Sequence, residues 1–201
     1  MDFPAGKLDP RLLDSLLKNI PVFDSRVKIG PRIGEDTAVI DMGKKYLLLK
    51  SDPITFTADR IGWYSVHINA NDIATMGGTP CWFLATLLLP EKRTNKSLIK
   101  RIFADLTKAL TGIKVTLCGG HTEVTPDLDR PIIVGMMVGE VPKNKLVLKD
   151  NISAGDHIIV ARGIAIEGTG IIAREKESLL KKEFSMVFFK ESKEFYLYPR
   201  D

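Results

Sequence analysis

Leu8, Leu12, Leu13, Leu16 and Leu17 recur at helical intervals before Asn19 and Pro21, which predicts an amphipathic helix from Asp9 to Lys18 that packs by its leucine face. Val27 to Asp36 is rich in Gly, Pro and charge and reads as loop. Ala38 to Asp41 and Tyr46 to Lys50 are short strand-like runs around Met42-Gly43, so a hairpin is expected. Ile61 to Met76 predicts a helix closed by Gly77-Gly78 and Pro80, and Trp82 to Leu89 a buried strand closed by Pro90. Asn95 to Leu110 gives a second long helix, with Leu98, Ile102, Leu106 and Ala109 on one face and a solvated basic face of Lys96, Lys100, Arg101 and Lys108. Val115 to Cys118 and Ile132 to Val138 read as further buried strands, separated by the polar segment Gly119 to Arg130.

Strands alternating with long helices imply an α+β fold, an α/β sandwich in which a mixed sheet is backed by helices. A break follows at Lys143 to Gly155. His157 to Ala161 then predicts a strand and Ile164 to Leu180 contains a helix, while Lys181 to Asp201 offers no second strand-helix unit. The expected organisation is a first domain over residues 1–148 and the truncated start of a second over 149–201, or a tail that packs on the first. A segment as short as the second is marginal as an autonomous unit.

Composition narrows the classes: 201 residues with 44% hydrophobic and 27% charged fit one full globular domain, or one domain plus part of another, and argue against disorder. The net charge of +4 comes from scattered Lys and Arg without a like-charge block, so a nucleic-acid or membrane-surface role has little support. Cys81 and Cys118 lack metal-ligand spacing and lie in or beside apolar runs, which reads as two buried reduced thiols. The N-terminus lacks a signal-peptide pattern, and the apolar run Cys81 to Leu89 is too short to span a bilayer as a helix; a cytoplasmic protein is expected.

The chemistry begins with Asn69 and Asp72, three residues apart and therefore on one face of the predicted helix. An aliphatic helix needs neither group, and a cation, a phosphate-bearing ligand or a neighbouring backbone would serve as partner. Four segments then repeat one design, an apolar element that begins or ends in a carboxylate beside small or turn-forming residues. They are Gly34-Glu35-Asp36 before Ala38, Ser51-Asp52-Pro53 after Lys50, Asn71-Asp72 in the helix, and Gly119-Gly120-His121-Thr122-Glu123 after Cys118. Taken singly, each has a structural account as a cap, turn or ion pair. Together they suggest hard oxygen ligands for Mg²⁺, which uses one or two carboxylates directly and keeps waters and phosphates for its other positions.

The ordered set Gly34-Glu-Asp-Thr-Ala-Val39, Ser51-Asp52-Pro53, Asn71-Asp-Ile-Ala-Thr-Met-Gly-Gly78 and Gly119-Gly-His-Thr-Glu123 resembles the aminoimidazole ribonucleotide (AIR) synthase-related superfamily. Its members include AIR synthase, thiamine monophosphate kinase, selenophosphate synthetase and the hydrogenase-maturation dehydratase HypE. The resemblance covers residues 8–141, and extends weakly to Ala154-Gly-Asp-His-Ile-Ile-Val160 and Gly163-Ile-Ala-Ile-Glu-Gly-Thr169. It implies a domain that dimerises through its sheet and binds Mg-ATP near the subunit interface. By position, Asp36, Asp52 and Asp72 match carboxylates that hold magnesium on the phosphates. Asn71 matches the residue before the helix carboxylate, and Gly119 and Gly120 match a turn that approaches the nucleotide. The implied chemistry is ATP-dependent phosphoryl transfer, or phosphorylation of an amide-like oxygen, with a small-molecule or protein-borne acceptor.

This chain departs from the family at His121, where the kinase branch places an Asp; either Glu123 is the substitute metal ligand or the site holds fewer ions. No cysteine follows Cys118, so the thiol chemistry of HypE is not expected of these residues. Gly30 to Gly34 lacks the Lys-Ser/Thr pair of a Walker loop. Lys28, Arg32 and Lys50 lie near the acidic motifs and could neutralise phosphate, with surface solvation the default. A thiamine monophosphate-type kinase and a non-catalytic dimerisation or interaction module are the alternatives.

Overall fold

Alternating apolar positions and two amphipathic helices assemble into one sheet with a helical layer, in a computed structural model that describes residues 3–160 and 164–195. The elements are α1 (Pro10–Leu17), β1 (Val27–Ile29), β2 (Ala38–Asp41), β3 (Lys45–Ile54), α2 (Ile61–Thr75), β4 (Thr79–Pro90), α3 (Lys96–Ile113), β5 (Thr116–Thr125) and β6 (Ile132–Pro142). After two short 3₁₀ turns come α4 (Ile166–Glu175), α5 (Glu177–Glu183) and α6 (Met186–Glu194). The strand order is β1-β2-β3-β6-β4-β5, antiparallel throughout except for the parallel pair β4 and β5.

The two-residue period of the strands sets the inner face. Leu48, Phe83, Leu87, Ile133, Met137 and Val141 meet Ile61, Tyr64, Val66 and Ile73 of α2 and Ile102 and Leu106 of α3 in one core. Asn95 opens α3 as expected, its side chain accepting from Leu98 N at 2.9 Å. The end of α2 is closed by Gly77 N and Gly78 N, which donate to Ala74 O and Ile73 O. On the sheet's other face Trp82 and Met136 are each 37% exposed.

The expected mixed sheet backed by helices is present, with local differences. Residues 27–29, expected as loop, form an edge strand on β2. The segment Gly119 to Thr125, expected as a polar connection, continues β5. Its pairing shifts register between Phe83 and Leu84 of β4, so Cys118 is the extra residue of a bulge and Gly119-Gly120 lie inside a strand, where a turn was expected. As an edge strand with one neighbour, β5 is exposed from Thr116 to Val124, and Cys118 is an exposed free thiol; Cys81 is half-buried.

Residues 157–160, expected as a strand, have no strand pairing, and Ile158 and Ile159 are 96% and 85% exposed. Apolar, β-branched residues do not make a strand without a neighbour to take their hydrogen bonds. Ala161 lies outside the described residues. Helix α1 forms, capped by Asp9, but buries none of its leucines. The tail packs on the first body: Ile166 and Ile171 lie against its core, and Arg174 Nε is 2.8 Å from Asp59 Oδ2. Among the described residues, no helix is long and apolar enough to cross a membrane.

Candidate functional site

Residues two apart on a strand share a face, so Lys50 and Asp52 of β3 both point to the side on which α2 lies. Residues three apart on a helix do likewise, and Asn69 and Asp72 of α2 meet that pair. Asp52 N donates to Asn69 Oδ1 at 2.9 Å, and Asn69 Nδ2 donates to Ser65 O at 2.8 Å and, at 3.5 Å, to Asp52 O. Asn69 is fully buried, so one carboxamide clamps the peptide groups of Asp52. Opposite Asp52 in β6 stands Gly135, where a Cβ would lie 2.7 Å from Asn69 Nδ2 and from Ser65 Oγ. The absence of a side chain there is what lets the clamp close.

Lys50 Nζ lies 2.8 Å from Asp72 Oδ2 and 3.2 Å from Asp52 Oδ2, with its side chain only 16% exposed. It is therefore a half-buried bridge between two carboxylates, where a solvated lysine was the default. The Asn69 and Asp72 pair thus takes two of the three partners its chemistry allowed: Asn69 takes a backbone and Asp72 a cation. Burial acts first against the Lys50 charge, but the hydrogen bond and charge of Asp72, followed by Asp52, outweigh it and raise its pKa. Asp72 is raised above the usual carboxylate value by burial. The Lys50 hydrogen bond and charge oppose this, while the neighbouring Asp36 and Asp52 add to it.

Asp36 joins from the loop before β2, where Thr75 Oγ1 of α2 donates to Asp36 Oδ2 at 3.4 Å and to Asp72 O at 2.8 Å. The preceding Glu35 turns the other way, its buried carboxylate 2.6 Å from Arg32 NH2 and 3.0 Å from Lys149 Nζ. Lys149 also donates to Ile33 O and Gly34 O at 3.2 Å each, so this loop is strapped from beyond β6. Beside it opens a cleft of about 380 Å³ whose walls include Gly30, Arg32, Asp36, Thr37, Lys50 and Ser51. The Thr37 hydroxyl is buried at its wall without a hydrogen-bond partner among the described residues.

A fourth acidic group was missed in the sequence. Glu167, in the first turn of α4, is held above the usual carboxylate value by burial and then by the charges of Asp52 and Asp72. It follows Ile164-Ala165-Ile166 and precedes Gly168, the same design of apolar run, carboxylate and small residue that marked the other segments. Asn71 is exposed beside Asp72.

The structure brings Asp36, Asp52 and Asp72 together and leaves Gly119, Gly120 and Glu123 apart from them. Asp52 pairs with Gly135, Gly135 with Ala85 and Ala85 with Gly120, so β5 is three strands away, about 14 Å at the usual strand spacing. There Glu123 accepts from Thr125 Oγ1 at 3.0 Å and lies 3.0 Å from His121 Nε2; these contacts, His121 first, hold its carboxyl below the usual value. At Gly120 a Cβ would lie 1.9 Å from Ala85 O, so no other residue fits between these strands. Among the described residues no three His, Cys, Asp or Glu side chains are spaced to hold a metal ion, and Lys50 stands between two of the aspartates.

The sequence model described as AIR synthase related protein, N-terminal domain, matches residues 34–141. The chain belongs to the AIR synthase-related family. That match contains Asp36, Asp52, Asn71, Asp72, Gly119, Gly120 and Glu123. Among relatives of the AIR synthase-related chain, a candidate hydrogenase expression/formation protein of Methanocaldococcus jannaschii is 30% identical over 174 residues, 84% of this chain and 52% of that protein. A thiamine-monophosphate kinase of Aquifex aeolicus is 26% identical over 165 residues, 77% of this chain and 52% of that protein. The chain thus spans about half the length of the curated relatives it matches. Among solved structures, AaThiL complexed with AMPPCP and TMP superimposes with a TM-score of 0.68 at 26% identity, covering 83% of this chain and 53% of that one.

Proposed function

We propose that this chain is the Mg-ATP-binding part of an ATP-dependent enzyme, in which Asp36, Asp52 and Asp72 hold magnesium on the nucleotide phosphates. The observation that carries the reading is the convergence of three carboxylates, from a loop, a strand and a helix, of which Asp36 lines a cleft together with the Lys50 that bridges the other two. Carboxylate oxygens are hard donors of the kind magnesium takes, so the donor set fits the ion. Bound there, magnesium would neutralise phosphate charge. The chain's own work is positioning: Asn69 fixes the backbone of Asp52, Thr75 links Asp36 to α2, and Asn71 faces solvent where a nucleotide can reach it.

Phosphoryl transfer asks a protein mainly for positioning and charge neutralisation, and needs no covalent nucleophile. The reaction we propose is transfer of a phosphoryl group to an acceptor, or phosphorylation of an amide-like oxygen. The boundary near residue 148 and the start of a second domain beyond it belong to the same proposal. So does a homodimer through the sheet. Gly119, Gly120 and Glu123 are three strands from the aspartates, and they would enter a site from a second copy whose sheet packs on the face carrying Trp82 and Met136. A thiamine monophosphate-type kinase is the second reading, supported by the likeness to AaThiL solved with AMPPCP and TMP; turnover with thiamine monophosphate as acceptor tests it.

The test of the first reading is calorimetric titration of ATP into the full chain with and without magnesium. Binding that requires magnesium, and that weakens about tenfold or more in Asp72→Asn, is expected. At a hundred times Kd the folded state gains about 2.7 kcal/mol, which raises Tm by roughly 5–10 °C in a chain of this size. No heat and no thermal shift at millimolar Mg-ATP would overturn the proposal.

A further inference from the structure

The cation among the aspartates is part of the chain. Lysine normally keeps its ammonium in water at the end of a flexible stem. Here Lys50 is 16% exposed on its side chain, and its ammonium lies between the Oδ2 atoms of Asp52 and Asp72, at 3.2 and 2.8 Å. A divalent ion bridging those two carboxylates would need the same space. The wall beside Lys50 carries a separate sign of an absent partner: the Thr37 hydroxyl, on a residue 4% exposed, lines the same cleft with no hydrogen-bond partner among the described residues.

We infer that Lys50 is a built-in counter-ion holding the place of a divalent cation between Asp52 and Asp72, and that metal enters there only by displacing its ammonium. The inference rests on the proposed Mg-ATP site. Its consequence is an order of loading. Free metal meets an acidic cluster already partly compensated by one fixed positive charge. Metal that arrives on a nucleotide brings phosphate oxygens, which give the displaced ammonium new acceptors beside the cleft. The chain therefore takes metal weakly alone and well with nucleotide, and Lys50 sets the difference.

The experiment is calorimetric titration of MnCl₂, without nucleotide, into the full chain carrying Lys50, Lys50→Met or Lys50→Gln. Removing a charge held this close to the ion should tighten Mn²⁺ by roughly tenfold or more. Adding Asp72→Asn to Lys50→Met should abolish the gain. Unchanged or weaker Mn²⁺ binding in both single variants overturns the inference. Should neither variant fold, the Lys50 ε-methylene signals of the wild-type chain are followed by NMR as Mg-ATP is added. A shift at Lys50 on saturation is expected, and an unmoved Lys50 at saturation overturns the inference. The two proposals fail separately: a wild-type chain that ignores Mg-ATP while Lys50→Met gains Mn²⁺ defeats the nucleotide reading alone. A wild-type chain that binds Mg-ATP with no Mn²⁺ gain in the variants defeats the counter-ion alone.

Discussion

Replacing Asn69 by alanine removes the clamp on Asp52 and tests whether a buried carboxamide fixes the site. The side chain is fully buried, accepts from Asp52 N at 2.9 Å and donates to Ser65 O at 2.8 Å. Losing it strands the Asp52 N–H in a half-buried position, which costs about 1–3 kcal/mol. The Ser65 carbonyl loses less, since it lies inside a helix whose own ladder also bonds it. The missing amide leaves a small void worth about 1 kcal/mol more. The sum is about 3 kcal/mol, or roughly 6–12 °C in Tm at this chain length. Urea denaturation gives the value directly: the midpoint should fall while the slope against denaturant stays constant. Asn71→Ala is the control, since its exposed side chain makes no hydrogen bond among the described residues and should change stability by less than about 0.5 kcal/mol. Mg-ATP binding should weaken in both. An Asn69→Ala chain as stable as Asn71→Ala would refute the clamp.

Gly120→Ala drives a Cβ to 1.9 Å from Ala85 O, a backbone atom that cannot yield, and should cost about 3 kcal/mol or more by urea melt. Gly119→Ala meets nothing within 4 Å and should cost less; equal losses would show that the strand approach is not the constraint. Glu167→Gln tests the fourth carboxylate through pH. Its folded pKa lies above the ordinary 4.5, so ionising it costs folded-state stability as pH rises through the raised value. The variant should match wild type near pH 4, pull ahead above about pH 4.5 and hold a constant lead at neutral pH; a lead that shrinks with rising pH has the wrong sign. Asn95→Ala removes the cap on Leu98 N and should lower stability by about 1 kcal/mol, seen as a Tm fall of roughly 2–4 °C.

The long elements were legible because their periods are unambiguous. Leu98, Ile102, Leu106 and Ala109 could lie on nothing but one helical face, and Ile132 to Val138 is too apolar to be anything but sheet. What escaped was decided by neighbours. Gly119-Gly120 has the composition of a turn, and only parallel pairing with Leu84 and Ala85 makes it strand. Val27–Ile29 becomes a strand because β2 offers it an edge. At the site, Asp36, Asp52 and Asp72 could be picked out because carboxylates beside small residues recur in order. Lys50 could not, since nothing local says that its ammonium lands between two carboxylates from different elements. Glu167 lay too far along the chain to be joined to them without the packing of α4. That Asn69 takes the backbone of Asp52 as its partner could not be read either, because burial of a carboxamide is a property of the assembled fold.

The place of β6 in the sheet has a consequence for how the protein is made. Residues 132–142 insert between β3 and β4, both completed long before them, and their pairs with β3 join positions far apart in sequence. A nascent chain that has reached residue 125 already contains Asp36, Lys50, Asp52, Asn69 and Asp72, yet has no strand to set β3 against β4. Such non-local closure is slow, on the order of milliseconds to seconds in domains dominated by it, and leaves strand edges open meanwhile. The residues that would hold a ligand are thus synthesised well before the strand that fixes them.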